Sequence, residues 1–65
     1  MLTNATAPRL MTVDEVADRL RVNRATAYRL IREQELPAFR FGAHGHFRIR
    51  ESDLEQWLED RRTAL

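Results

Sequence analysis

Residues 11–33 read MTVDEVADRLRVNRATAYRLIRE, two helical patterns separated by a gap of a few residues. In the first, Thr12 is followed three positions later by Glu15. That spacing lets hydroxyl and carboxylate each satisfy a backbone N–H at a helix start. Val13, Val16, Ala17 and Leu20 then recur on one helical stripe, which predicts a short helix over 13 to about 20. Arg21 and Val22 turn the chain. Asn23 offers a side-chain oxygen to cap a second helix, predicted from Arg24 to about Gln34. With residues about 100° apart around that helix, Ala27, Leu30, Ile31 and Gln34 form the inward stripe. Tyr28, Arg32, Ala25 and Arg29 lie opposite, with Arg24 on the flank. One face is aliphatic, the other arginine plus tyrosine.

Downstream, Leu36-Pro37 stops the second helix, because proline cannot donate to it and disfavours an α conformation before itself. Period-two alternation follows. Phe39 and Phe41 alternate with Ala38 and Arg40, then Phe47 and Ile49 with Arg48 and Arg50; the two runs are separated by Gly42 to His46, where glycines at 42 and 45 supply turn geometry. These features predict a β-hairpin whose aromatic face covers the core while its arginine face meets solvent or a partner. Ser52 with Glu55 repeats the capping box, and Leu54, Trp57, Leu58 and Arg61 follow at helical spacing, so a third helix is expected from Asp53 to about Arg62. Trp57, Leu54 and Leu58 read as core residues docking that helix across the helix–hairpin junction. Upstream, residues 1–9 are small and polar with Pro8 near their end, and read as a disordered arm. The domain is expected over 10–62 and a frayed end over 63–65. The expected fold is thus α+β, mostly α: helix, tight turn, helix, hairpin wing, helix.

Composition narrows the function classes. Sixty-five residues hold at most one domain, and the absence of cysteine removes disulfides and thiolate metal sites. No segment approaches the roughly 20 apolar residues of a membrane span, and no basic-then-apolar leader opens the chain, so a soluble cytoplasmic protein is expected. The net charge of +1 conceals a segregation. Residues 1–20 carry −1, residues 21–50 carry +5 and residues 51–65 carry −3. All eleven cations are arginine, whose planar fork suits phosphates and guanine edges; a GC-rich genome would favour the same residue. No acid pair, cysteine or glycine-rich phosphate loop suggests catalysis, so neither an enzyme nor a cofactor is expected.

The motifs TVDEVAxxL, VNRATAYRLIRE, ELPAFRFG, FRI and SDLEQWL together resemble the excisionase-type DNA-binding domain, a small winged-helix branch of the mercury-resistance-regulator superfamily. The resemblance covers Leu10 to about Glu59. It implies that the second helix enters the major groove of double-stranded DNA and that the wing meets the backbone or adjacent minor groove. By position, it puts Arg24, Thr26, Tyr28, Arg29 and Arg32 on or near the recognition surface, and His44, His46 and Arg48 on the wing. The wing tip departs from the family, with AHGH where further Arg or Lys is usual; a contact that strengthens in mild acid would suit it. The role implied is that of a phage or mobile-element excisionase, bound side by side with further copies near an attachment site, bending DNA and directing an integrase. A single-domain transcription regulator would use the same surfaces. A phage adaptor or a protein-interaction module are the other classes.

Bland readings stand beside these. The arginines of the second helix would suit a merely solvated face, and Arg40, Arg48 and Arg50 would suit pairing with Glu51, Asp53 or other acids of the third helix, Arg50 above all. The His44-x-His46 pair has no third ligand nearby and makes a poor metal site. Phe39, Phe41 and Phe47 would suit base stacking in a single-strand binder, but a domain this small needs them inside.

Overall fold

Thr12 opens the first helix as its spacing predicts: its hydroxyl accepts from the Glu15 N–H at 3.0 Å, and the Glu15 carboxylate accepts from the Thr12 N–H at 2.8 Å. The computed structural model describes residues 9–43 and 45–63; the proposed arm up to Pro8, His44, and the last two residues of the tail lie outside the described residues. The elements are β1 (Leu10–Thr12), α1 (Val13–Leu20), α2 (Arg24–Glu33), β2 (Phe39–Phe41), β3 (His46–Arg50) and α3 (Glu51–Asp60). They make a small winged helix-turn-helix, α+β and mostly helical, with one antiparallel sheet in the order β1-β3-β2.

The turn between α1 and α2 is fixed by backbone geometry. Arg21 takes a left-handed conformation at φ 60, its N–H donates to the Asp18 carbonyl at 3.2 Å, and the Val22 N–H reaches back to Ala17 at 2.9 Å. This paired pattern ends a helix while satisfying its last carbonyls. Asn23 then accepts from the Thr26 N–H at 2.7 Å, starting α2 at once. Two helices joined this tightly must cross, and their apolar stripes converge. Val16 and Ala27 are wholly inaccessible at that crossing.

The core is Met11, Val13, Val16, Ala17, Ala27, Leu36, Ile49, Leu54 and Trp57. Leu36 reaches it through Glu35, which is left-handed at φ 61 and folds the chain back, so that the Leu36 N–H donates to the Leu30 carbonyl at 3.2 Å. Trp57 is 8% exposed, and its indole N–H donates to the Gln34 carbonyl at 2.9 Å. Trp57 and Leu54 thus dock the third helix in the core as expected, but Leu58, expected there too, is exposed.

Three further expectations are corrected. Leu10–Thr12 is a strand, not only a lead-in to α1, and pairs Met11 with Ile49. The third helix starts at Glu51 and ends at Asp60, so Ser52 lies inside it and forms no capping box. The cause is that β3 runs straight into α3. Arg50 occupies the cap position, the Glu51 N–H donates to the Arg9 carbonyl at 2.8 Å, and the Asp53 carboxylate in the first turn binds Arg50 at 3.0 Å.

The third correction concerns the hairpin. Phe39 pairs with Arg48, Arg40 with Phe47 and Phe41 with His46. Paired residues share a face, so Phe39 and Phe41 lie on the outer face with His46 and Arg48, while Arg40 shares the inner side with Phe47 and Ile49. The four residues between Phe41 and His46 set this parity; a loop one residue longer or shorter would have put all the rings inside. Phe39 and Phe41 are 44% and 49% exposed.

Candidate nucleic-acid interface

The N-terminal half of α2 lies against the wing through a chain of ring contacts. Tyr28 meets Phe47 edge to face at 6.0 Å between centroids, Arg24 lies 6.0 Å from the Tyr28 ring centre, and Arg40 lies 5.5 Å from that of Phe47. Aromatic pairs of this geometry attract, and cations are favoured near ring faces. Through them α2 and the wing meet side chain to side chain. Tyr28, expected on the free face of α2, is consequently half-buried.

Beside these contacts runs a shallow groove lined by Thr12, Val13, Asp14, Arg24, Tyr28, His46, Phe47 and Arg48. It opens where β1 ends at Thr12 while β3 continues to His46. There the Arg48 guanidinium donates to the Phe47 carbonyl at 2.9 Å. Arg24, Tyr28, His46 and Arg48, chosen from the sequence for separate elements, thus line one concavity. Arg29 and Arg32 stand outside it on the exposed face of α2, Arg32 one turn beyond Tyr28. Thr26 is half-buried, with its N–H already engaged by Asn23. His44 lies outside the described residues.

Charge pairing separates the arginines sharply. Arg9, Arg19, Arg24, Arg50 and Arg62 each have a carboxylate within 4.0 Å. Arg19 bridges α1 to α3 through Glu55 at 2.8 Å and Glu51 at 3.2 Å, and these hydrogen bonds, Glu55 first, raise its pKa above the ordinary arginine value. Arg61 stacks 4.3 Å from the Trp57 ring centre and donates to the Gln34 carbonyl. Among the described residues, Arg61 and five others, Arg21, Arg29, Arg32, Arg40 and Arg48, have no carboxylate partner, and those five all belong to the helix-turn-helix or the wing. The Arg50–Asp53 pair is the one anticipated from sequence. The Arg24–Asp14 pair, at 3.3 Å, was not, because the two residues meet only when α1 and α2 cross.

Arg40 is the candidate that sequence reasoning misplaced. The connection, expected over Gly42 to His46, ends at Gly45 because His46 pairs with Phe41, and that one residue carries Arg40 from the free face to the side of Phe47. A surface of this composition can bind polyanions: several unpaired guanidinium groups, a tyrosine and a histidine, on elements braced by packing. Among the described residues no group of three or more acidic, histidine or cysteine side chains is arranged to hold a metal ion, and no helix is long and apolar enough to cross a membrane.

Two proteins of Mycobacterium tuberculosis, from strains H37Rv and CDC 1551 and each named as a putative DNA-binding protein, are 44% identical to this chain over 50 residues. The match takes in 77% of this chain and spans 62% of the length of those relatives. Residues 10–62 match the family described as a helix-turn-helix domain, over the whole of β1 to α3 and the groove between α2 and the wing. The chain belongs to the helix-turn-helix domain family.

Proposed function

We propose that this protein binds double-stranded DNA sequence-specifically, with α2 in the major groove and the wing beside it. The observation that carries this reading is that, among the described residues, Arg29 and Arg32 on α2, Arg40 and Arg48 on the wing, and Arg21 in the turn before α2 have no carboxylate partner, while of the other arginines only Arg61, which stacks on Trp57, lacks one. Arg29 and Arg32 read guanine edges; Arg48 and Arg24 engage phosphates; Thr26 and Tyr28 contact phosphate or a thymine methyl. His44 and His46 add wing contacts. Membership of the helix-turn-helix family and the name carried by the mycobacterial relatives support DNA as the ligand.

The biological role proposed is that of a phage or mobile-element excisionase in the bacterial cytoplasm, acting with a site-specific integrase. The sequence resemblance to excisionase-type domains supports it. A module of this size buries roughly 600–1,000 Å² on DNA and binds weakly alone. Neighbouring copies would supply the missing affinity, the acidic third helix of one set against a basic surface of the next. Co-expression with a site-specific integrase on a substrate carrying its attachment sites is the test. A shift of recombination toward excision is the expected result, while footprints confined to a promoter would assign a single-domain transcription regulator instead. Absence of any gel shift on duplex DNA at about 50 mM salt would remove the DNA reading altogether.

A further inference from the structure

Among the described residues, nothing packs over the apolar side chains on the outer face of the sheet. Leu10, Phe39 and Phe41 are 45%, 44% and 49% exposed there, in a domain with little apolar surface to spare. The two rings are not loose. Phe39 carries the Arg50 guanidinium 5.6 Å from its ring centre, Arg50 is anchored to Asp53 at 3.0 Å, and Phe41 leans on Phe39 with centroids 6.4 Å apart. Phe41 is thus a braced ring at the very end of β2, next to the turn that Gly42 tightens at φ 77.

The chemistry of the surroundings identifies the occupant. Asp53 neutralises Arg50, but among the described residues Arg40 and Arg48 of the wing have no carboxylate partner, so the partner is anionic. Phe41 pairs with His46, which lines the groove beside α2, so this face continues the interface already described. A single-stranded nucleic acid would stack its bases on open ring faces, but Arg50 already occupies one face of Phe39 and the two rings are tilted by 42°. Duplex DNA fits better. A ribbon projecting sideways from a helix seated in the major groove crosses one phosphate backbone and meets the minor groove, whose sugar walls are apolar. Apolar side chains inserted there part a base step and kink the duplex, most readily at a pyrimidine–purine step.

We propose that Phe41, braced by Phe39, is an apolar wedge that enters the minor groove beside the α2 site and bends the DNA. The proposal rests on the reading of duplex DNA as the ligand, and it gives that reading a bending mechanism that uses no charge.

The test uses a duplex of roughly 30 base pairs, enriched from a random pool by the wild-type protein and labelled at its ends for energy transfer. Phe41→Ala is expected to abolish most of the bend and to weaken binding about tenfold, as expected for exposing part of a buried ring. Its salt slope and melting temperature should match the wild type, because no charge and no core contact is lost. Phe41→Leu, still apolar, should keep most of the bend. Unchanged bending and affinity in Phe41→Ala would overturn the wedge and leave DNA binding intact, and so would a flattened salt slope, which would mean a displaced phosphate contact. A wild-type protein that enriches no duplex would overturn both the wedge and the reading beneath it.

Discussion

A surface guanidinium group is either neutralised by a carboxylate of its own chain or left for an anion from outside, and Arg48 and Arg50 illustrate both outcomes two residues apart. Arg50 reaches Asp53 at 3.0 Å because β3 runs directly into α3 and carries the acid back over it. Arg48 meets only the Phe47 carbonyl, at 2.9 Å, in the groove it shares with Arg24 and His46. Arg48→Ala should therefore weaken binding to all duplexes alike and flatten the plot of log affinity against log salt by about 1, as measured by anisotropy titrations at several salt concentrations. Arg50→Ala should leave that slope where it was. Its pair is exposed, so thermal melting should register a cost no larger than about 1 kcal/mol.

Local hydrogen-bonding rules decide the elements, and they explain which of them were legible in the sequence. Thr12, Glu15 and Asn23 act within three residues of themselves, so α1, the turn and α2 follow from spacing alone. Asn23→Ala should cost about 0.5–2 kcal/mol in denaturant unfolding, since the Thr26 N–H then loses its partner and α2 its fixed start. Non-local partners were not legible. Strand β1 exists only because β3 offers an edge to Met11, and Ser52 misled because the Arg9 carbonyl and the Arg50–Asp53 pair start α3 two residues sooner than its own hydroxyl would. In the hairpin, alternation gave the strands correctly but not their relative parity. The four-residue turn turned Phe39 and Phe41 outward and Arg40 inward. Of the candidate site, the residue types and the helix face were legible. That Arg24, Tyr28, His46 and Arg48 line one groove required the Tyr28–Phe47 contact, which joins elements nineteen positions apart in the chain.

At the scale of the whole molecule, α3 holds the proposed DNA-reading surface in place. Trp57 and Arg61 both donate to the Gln34 carbonyl where α2 ends, and Arg19 ties α1 to α3 through Glu51 and Glu55. Trp57→Ala should cost on the order of 3–5 kcal/mol, enough to unfold much of the population of a small domain, and circular dichroism would follow it. Charge is sorted over the same framework. Acids gather on α1 and α3, where they pair with Arg19, Arg24, Arg50 and Arg62, and among the described residues the arginines without a carboxylate, Arg61 against Trp57 aside, fall on α2, its preceding turn and the wing. The hairpin rings were expected to back this surface from within, and only Phe47 does so. Backing comes instead from Ala27, Leu36, Ile49 and Trp57, all buried.

The central claim is that the exposed face of α2 reads bases while the wing holds the backbone. It is tested most directly by the ratio of dissociation constants for a selected duplex and a scrambled one, in wild type and in Arg29→Ala and Arg32→Ala. The account predicts that each substitution costs about 1–3 kcal/mol on the selected duplex, with far less change on the scrambled one, so that the ratio falls roughly 5- to 150-fold. Equal losses on both duplexes would show that these side chains meet phosphate alone, and that α2 does not read the sequence.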